Sequence, residues 1–203
     1  ALPYIERDLN ASFEDLQWVI DAYALTLAAF LLTAGSIADD VGRRRIFVIG
    51  IAGFGLSSLL TGFSTPVVLV IVLRAVQGIF GGFLTTNALS LLRANFPEPR
   101  LPTATGIFNS IQGLSIAAGP ILGGLIVHSL GWRWTMFVNV PIALLCLVLG
   151  VVLLREVKIP TTARFDYAGT VLLIVALTAV VYALIDAPAS GWGAASTLIL
   201  FAV

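Results

Sequence analysis

Long apolar runs joined by short polar connections set the pattern of this chain. A bilayer core asks for roughly 20 consecutive apolar residues as helix, and windows of that kind recur from end to end. Residues 16–38 carry one charge, Asp21, and residues 46–63 carry none. Residues 67–92 carry only Arg74, and residues 101–127 are uncharged although they contain Asn109 and Gln112. Residues 134–154 and 167–185 are uncharged as well, and a seventh apolar run begins near Gly191 and reaches Val203. Core helices of a soluble protein keep a polar stripe, and these runs are apolar on nearly every face. The pattern predicts an all-α integral membrane protein with six complete spans and the start of a seventh.

Composition sharpens this reading. Of 203 residues, 59% are hydrophobic and 11% charged, with a mean hydropathy of +1.02. So few charges cannot coat a soluble surface, which makes the lipid bilayer the expected solvent. Lys plus Arg equals Asp plus Glu at 11 each, so the basic footprint that nucleic acid demands is missing. The single cysteine, Cys146, has no partner for an internal disulfide, and the single histidine, His128, builds no zinc site with it. No His-Glu-x-x-His, Gly-x-Ser-x-Gly or Gly-rich phosphate loop occurs. An enzyme, a catalytic residue, a metal site and a cofactor are therefore not expected. The chain opens at Ala1 and stops at Val203 inside an apolar run, which reads as a fragment of something longer.

Short connections make consecutive spans antiparallel neighbours, and their charges orient them. One alternate set holds Arg43, Arg44, Arg45, Arg93, Arg100, Arg155, Lys158 and Arg164; the other holds only Arg7 and Arg133. The positive-inside rule then puts the Gly42–Arg45 loop in the cytoplasm and residues 1–17 outside. The polar connection 157–166, with Pro160, is the best boundary between a bundle over 1–156 and the spans of 167–203.

Three constellations carry candidate chemistry. Around the first connection, Gly35, Asp39, Asp40 and Gly42 are followed by Arg43, Arg44 and Arg45. Carboxylates at a helix C-terminus and arginines at the next N-terminus both oppose the helix dipoles. Carboxylate–guanidinium pairs across the turn, with Gly42 in a tight bend, would compensate. Positive-inside decoration alone would explain the arginines but not the aspartates.

Arg74 lies roughly 12 Å into its span at 1.5 Å per residue. A guanidinium at that depth is costly unless it is paired or faces water. Its two readings are a functional charge and a clamp on backbone carbonyls. Asp21, one turn inside its own span and on the same side of the membrane, is the expected partner; an interfacial Asp reaching up to water is the plainer alternative.

In the fourth span Gly106, Ser115, Gly119, Pro120, Gly123 and Gly124 offer close helix approach and a missing backbone donor. Taken alone they signify small-residue packing. Trp132 and Trp134 read as interfacial anchors at the start of the fifth full span.

Together these motifs resemble the major facilitator superfamily. Gly35, Asp39, Gly42, Arg43 and Arg44 are similar to its cytoplasmic signature, although Asp40 stands where the family usually has a basic residue. Arg74-Ala-Val-Gln77-Gly78 resembles its Arg-x-x-Gln-Gly element, which the family links to proton coupling. Gly119-Pro120 with Gly123-Gly124 resembles the antiporter motif found mostly in exporters, with Ser115 in place of a usual glycine. The segment from Trp132 through Asn139 to Pro141 resembles the beginning of the family's sixth span. Asp166-Tyr-Ala-Gly169 with its following apolar runs resembles the extra pair of the fourteen-span drug:proton antiporters.

The resemblance implies a major-facilitator-type helical bundle comprising the N-terminal half, with its first span nearly absent, and the start of the central extra pair. It implies export of drug-like, amphiphilic or cationic small molecules by proton antiport across a bacterial plasma membrane, with a missing C-terminal half as partner. Asp21, Arg74 and Gln77 become coupling or substrate residues, and the Asp39–Arg44 region becomes a cytoplasmic gate. The alternatives are an uptake symporter or facilitator, or a non-transporting sensor or assembly subunit.

Overall fold

The computed structural model describes residues 2–156 and 167–201. Among the described residues the chain is helical, without strands. The helices are α1 (Leu2–Leu9), α2 (Phe13–Val41), α3 (Arg43–Phe63), α4 (Val67–Asn95), α5 (Leu101–Leu130), α6 (Trp132–Phe137), α7 (Asn139–Leu153), α8 (Tyr167–Ser190) and α9 (Ala195–Phe201). Four helical stretches, Arg43–Phe63, Val67–Asn95, Glu98–Leu130 and Trp132–Leu153, are long and apolar enough to cross a membrane. Helix α2 is a fifth if its segments Phe13–Leu31 and Thr33–Val41, bent by 54°, count as one span. At that bend the Thr33 hydroxyl donates back to the Phe30 carbonyl, the kind of local competition that bends helices.

Local chemistry sets the helix ends. Ser12 caps α2: its hydroxyl accepts from Asp15 N at 3.1 Å while the Asp15 carboxylate accepts from Ser12 N at 2.9 Å. This reciprocal box satisfies two otherwise orphaned donors. Helix α2 stops at Gly42, whose φ of +121° suits a residue without Cβ. Pro141 explains the break between α6 and α7, because it has no N–H to give the carbonyl four residues back, at Phe137.

The most extensive contacts join α2 to α4, then α4 to α3 and α3 to α7, while α8 lies against α2. The rings of Trp18 on α2 and Tyr182 on α8 meet at 6.2 Å. At one end of the bundle α1 folds over a cluster of Ile5, Leu16, Val19, Val70 and Trp132. Trp132 corrects an expectation. It is only 4% exposed, and its Nε1 donates to Asp8 Oδ2 at 3.0 Å, so it is a core plug and not an interfacial anchor. Trp134 is 47% exposed, as an anchor should be. Arg133 closes the same end, bonding Asp8 Oδ2 at 3.1 Å and the Ser64 carbonyl at 3.2 Å.

The connection 157–166, expected as a boundary and containing Pro160, lies outside the described residues. The apolar run expected from Gly191 begins as helix at Ala195, after a turn in which Gly191 has φ +99°.

Candidate transport site

The seam between α2 and α4 is built from small residues. At Gly78 a Cβ would overlap the Thr26 hydroxyl and the Tyr23 carbonyl, and at Gly82 it would press on Phe30. Close approach lets hydroxyls cross between backbones: Thr26 Oγ1 donates to Ala75 O at 2.7 Å and Thr86 Oγ1 to Leu31 O at 3.0 Å.

Arg74 projects from α4 into this seam. Its Nε donates to Val19 O at 3.1 Å, its Nη1 donates to Gln77 Oε1 at 2.7 Å, and its guanidinium sits 4.3 Å from the centre of the Tyr23 ring. Every partner is neutral. The polar chain continues, because Gln77 Nε2 donates to Ser58 Oγ at 2.5 Å and Asn139 Nδ2 donates to the same oxygen at 3.3 Å. Gln77 and Ser58 are buried. One hydrogen-bonded path therefore joins α2, α4, α3 and α7 through the middle of apolar helices.

Asp21 is not on that path, which corrects its expected pairing with Arg74. Half-buried, it makes no ion pair with Arg74. The reason is azimuth. Val19 and Tyr23, four residues apart, share the α2 face that meets Arg74, and a residue midway between them points roughly 200° away at 100° per residue. Asp21 instead shares its side of α2 with Trp18, three residues earlier, which touches α8. Depth alone had matched the two charges.

At the Gly42 end the expected ion pairing across the turn is present. Arg43 Nη2 lies 2.6 Å from Asp39 Oδ1, with both side chains mostly buried. The two meet as an ion pair without hydrogen-bond alignment, and Arg43 Nε has no hydrogen-bond acceptor. Arg44 reaches across to α7, donating from Nε to Gly150 O at 3.3 Å and from Nη2 to Val151 O. These carbonyls lie in the last turn of α7, where orphaned acceptors and a negative dipole end favour a cation.

The dipole conflict at α3 is relieved by a residue the motif did not reveal. Glu156 accepts from Arg44 N at 3.1 Å and lies 3.7 Å from Arg45 Nε. Its carboxylate fills the space that a Cβ on Gly42 would need. Gly42 is thus required twice, by its φ and by Glu156. Gly35 is less constrained, with only Thr86 Cγ2 at 3.4 Å from a notional Cβ.

The α5 motif is placed differently. At Gly106, Gly119, Gly123 and Gly124 nothing lies within 4 Å of a notional Cβ. The Ser115 hydroxyl bonds within its own helix, to Ile111 O at 2.8 Å. The helix runs unbroken through Pro120. Among the described residues, then, nothing fills the space at these four glycines.

Besides Glu156, the residues not foreseen as site members are Ser58, Asn139, Thr26 and Thr86. Asn139 had a visible signal as the lone amide side chain in an otherwise apolar span. Serines and threonines inside spans are too ordinary to single out before their partners are known.

The family model of the Major Facilitator Superfamily matches residues 1–203. Among curated proteins, the tetracenomycin C resistance and export protein of Streptomyces glaucescens is 44% identical over 199 residues, covering 98% of this chain and 37% of that protein. A puromycin resistance protein of Streptomyces alboniger is 43% identical, covering 95% of this chain and 38% of its own length. The multidrug resistance protein Stp of Mycobacterium tuberculosis is 36% identical, with 98% and 37% covered. The chain thus spans a little over a third of the length of the curated relatives it matches. Its apolar helices and its match to the family model over the whole length agree: this is a multi-pass membrane chain belonging to the major facilitator superfamily.

Proposed function

We propose that this chain works within a proton-driven exporter of small drug-like molecules, amphiphilic or cationic, in a bacterial plasma membrane with the Gly42 end in the cytoplasm. The observation that carries the reading is the charge of Arg74, held inside apolar helices by neutral acceptors alone. A fixed, uncompensated cation at such depth is expensive and marks a pathway for ions or substrate. The names of the relatives, which speak of resistance and export, suit the outward direction.

In this proposal Arg74 and Asp21 act through space on opposite sides of α2. Asp21 gains and loses a proton as its side of the helix alternates between closed and watery surroundings, and a cationic substrate competes for it. Gln77, anchored by Ser58, holds the guanidinium in place. The Asp39–Arg43 pair and the Arg44–Glu156 contacts lock the cytoplasmic side when the site opens outward. The open face of α5, with Gly106, Ser115, Gly119, Pro120, Gly123 and Gly124, receives helices of the remaining length of the transporter, in keeping with alternating access about a midplane site.

The test uses everted membrane vesicles containing the transporter of which this chain is part, with a pH-gradient dye and lipophilic cations as substrates. Cation-triggered proton release is expected, with a pH dependence shifted or abolished by Asp21→Asn. An unchanged profile in that variant would remove Asp21 from coupling, and no proton release from well-inserted protein would reject antiport.

A further inference from the structure

Along the contact of α3 with α7 runs a groove of about 220 Å3 lined only by apolar side chains. It exists because the helices touch at small residues: a Cβ on Gly55 would lie 2.7 Å from the Ala143 Cβ. On either side the rims stand proud, with Leu56 57% and Leu144 58% exposed. The polar path through Gln77, Ser58 and Asn139 turns inward and contributes nothing to the groove lining.

The groove has a charged end. Residues 45, 49, 52, 56 and 59 follow the three-and-four spacing of a single helix face, so Arg45 stands on the stripe that lines the groove through Ala52, Leu56 and Leu59. Its neighbours are committed, Arg43 to Asp39 and Arg44 to the α7 carbonyls. Arg45 is not: its side chain is 67% exposed and makes one long contact, 3.7 Å from Nε to Glu156. Its two terminal nitrogens are left to donate, and a guanidinium fork matches a phosphate in geometry and charge. From Arg45 to Leu56 is 11 residues of helix, roughly 16 Å at 1.5 Å per residue. One leaflet of hydrocarbon is roughly 15 Å thick.

We infer that the α3–α7 groove is a binding site for an anionic diacyl phospholipid, with its phosphate on Arg45 and one acyl chain between Leu56 and Leu144. Charge selects the headgroup. Arg43, Arg44, Arg45 and Arg155 outnumber Asp39, Asp40 and Glu156 at this end, so a headgroup with net negative charge is favoured over one carrying its own ammonium. Length selects the rest, because a free phosphate or a short amphiphile would leave the groove unfilled. The inference is independent of the direction or coupling of transport.

Native mass spectrometry of the delipidated protein, titrated with phosphatidylglycerol or with phosphatidylcholine of the same acyl chains, tests it. Phosphatidylglycerol should be retained at about fivefold lower concentration. Arg45→Gln, at an exposed position, should bring the two lipids level, while Ala52→Phe, which fills the groove, should weaken both. Leu144→Phe repeats the groove test from α7, and size-exclusion chromatography checks that each variant stays monodisperse. Equal retention of the two lipids by the unaltered protein, or a preference surviving Arg45→Gln, would overturn the headgroup assignment. Lipid binding indifferent to both Phe variants would overturn the groove. A dimer dissolved by Ala52→Phe, with no lipid adduct, would mean that a second copy covers this face and would equally overturn the inference.

Discussion

Helices α4 and α5 carry similar small-residue motifs and are used in opposite ways. On α4, Gly78, Gly81 and Gly82 are filled by α2, whose Tyr23, Thr26, Leu27 and Phe30 occupy the space where side chains would stand. On α5, the glycines at 106, 119, 123 and 124 meet nothing. A glycine face reports that a helix can be approached closely, which is a property of one surface. Whether a neighbour comes depends on a second surface, and for α5 that surface is not among the described residues.

The sharpest way to break this contrast is to put bulk on the filled face of α4. Gly78→Leu should drive α2 off α4, at a cost beyond the roughly 1–3 kcal/mol usual for overpacking, because the Thr26–Ala75 and Arg74–Val19 bonds go with it. Loss of the monodisperse peak in detergent size-exclusion chromatography is the expected result, and a normal profile would show that the seam is not load-limiting.

A second contrast, between two tryptophans two residues apart, ranks next. Trp132→Ala should cost about 3–5 kcal/mol of stability and lower the thermal-unfolding midpoint, whereas Trp134→Ala, at a 47% exposed site, should shift it far less. Equal shifts would place both rings at the interface.

Within the seam, Thr26→Val keeps the shape and removes the bond to Ala75 O. In bilayers such bonds average about 0.6 kcal/mol, so a small but measurable drop in the unfolding midpoint is expected; no change would mean that apposed backbones alone hold α2 to α4. Smallest of all is Gly123→Ala, expected within about 0.5 kcal/mol of the unaltered chain. A larger loss of stability would reveal a neighbour on α5.

Much of the fold was legible in the sequence, because lipid enforces long charge-free runs and these runs became helical, although that of 134–154 is broken between α6 and α7. Residues 46–63 match α3 almost to the residue. The turn at Gly42 was legible too, since carboxylates and arginines placed against the dipoles demanded pairs. What escaped were facts of azimuth and of distant partners. Asp21 and Arg74 agree in depth, but depth along a helix says nothing of direction around it. Trp132 looked like an anchor until α1 supplied Asp8 and Ile5 to bury it. Glu156 lies 112 residues from the backbone amide it accepts from, and no local pattern announces such a bond.

That separation also fixes an order in time. Helix α3 leaves the ribosome with its first amides unanswered, and the carboxylate that answers Arg44 is synthesised 112 residues later. Trp132, which plugs the opposite end against Asp8, arrives after 124 residues. At 5–20 residues per second roughly 6–25 s separate the synthesis of the two partners in each of these contacts. The two ends are therefore latched by α6 and by Glu156 just past the end of α7, so nascent chains arrested before Trp132 should remain open to proteases at both ends, and those arrested well beyond Glu156 should resist them.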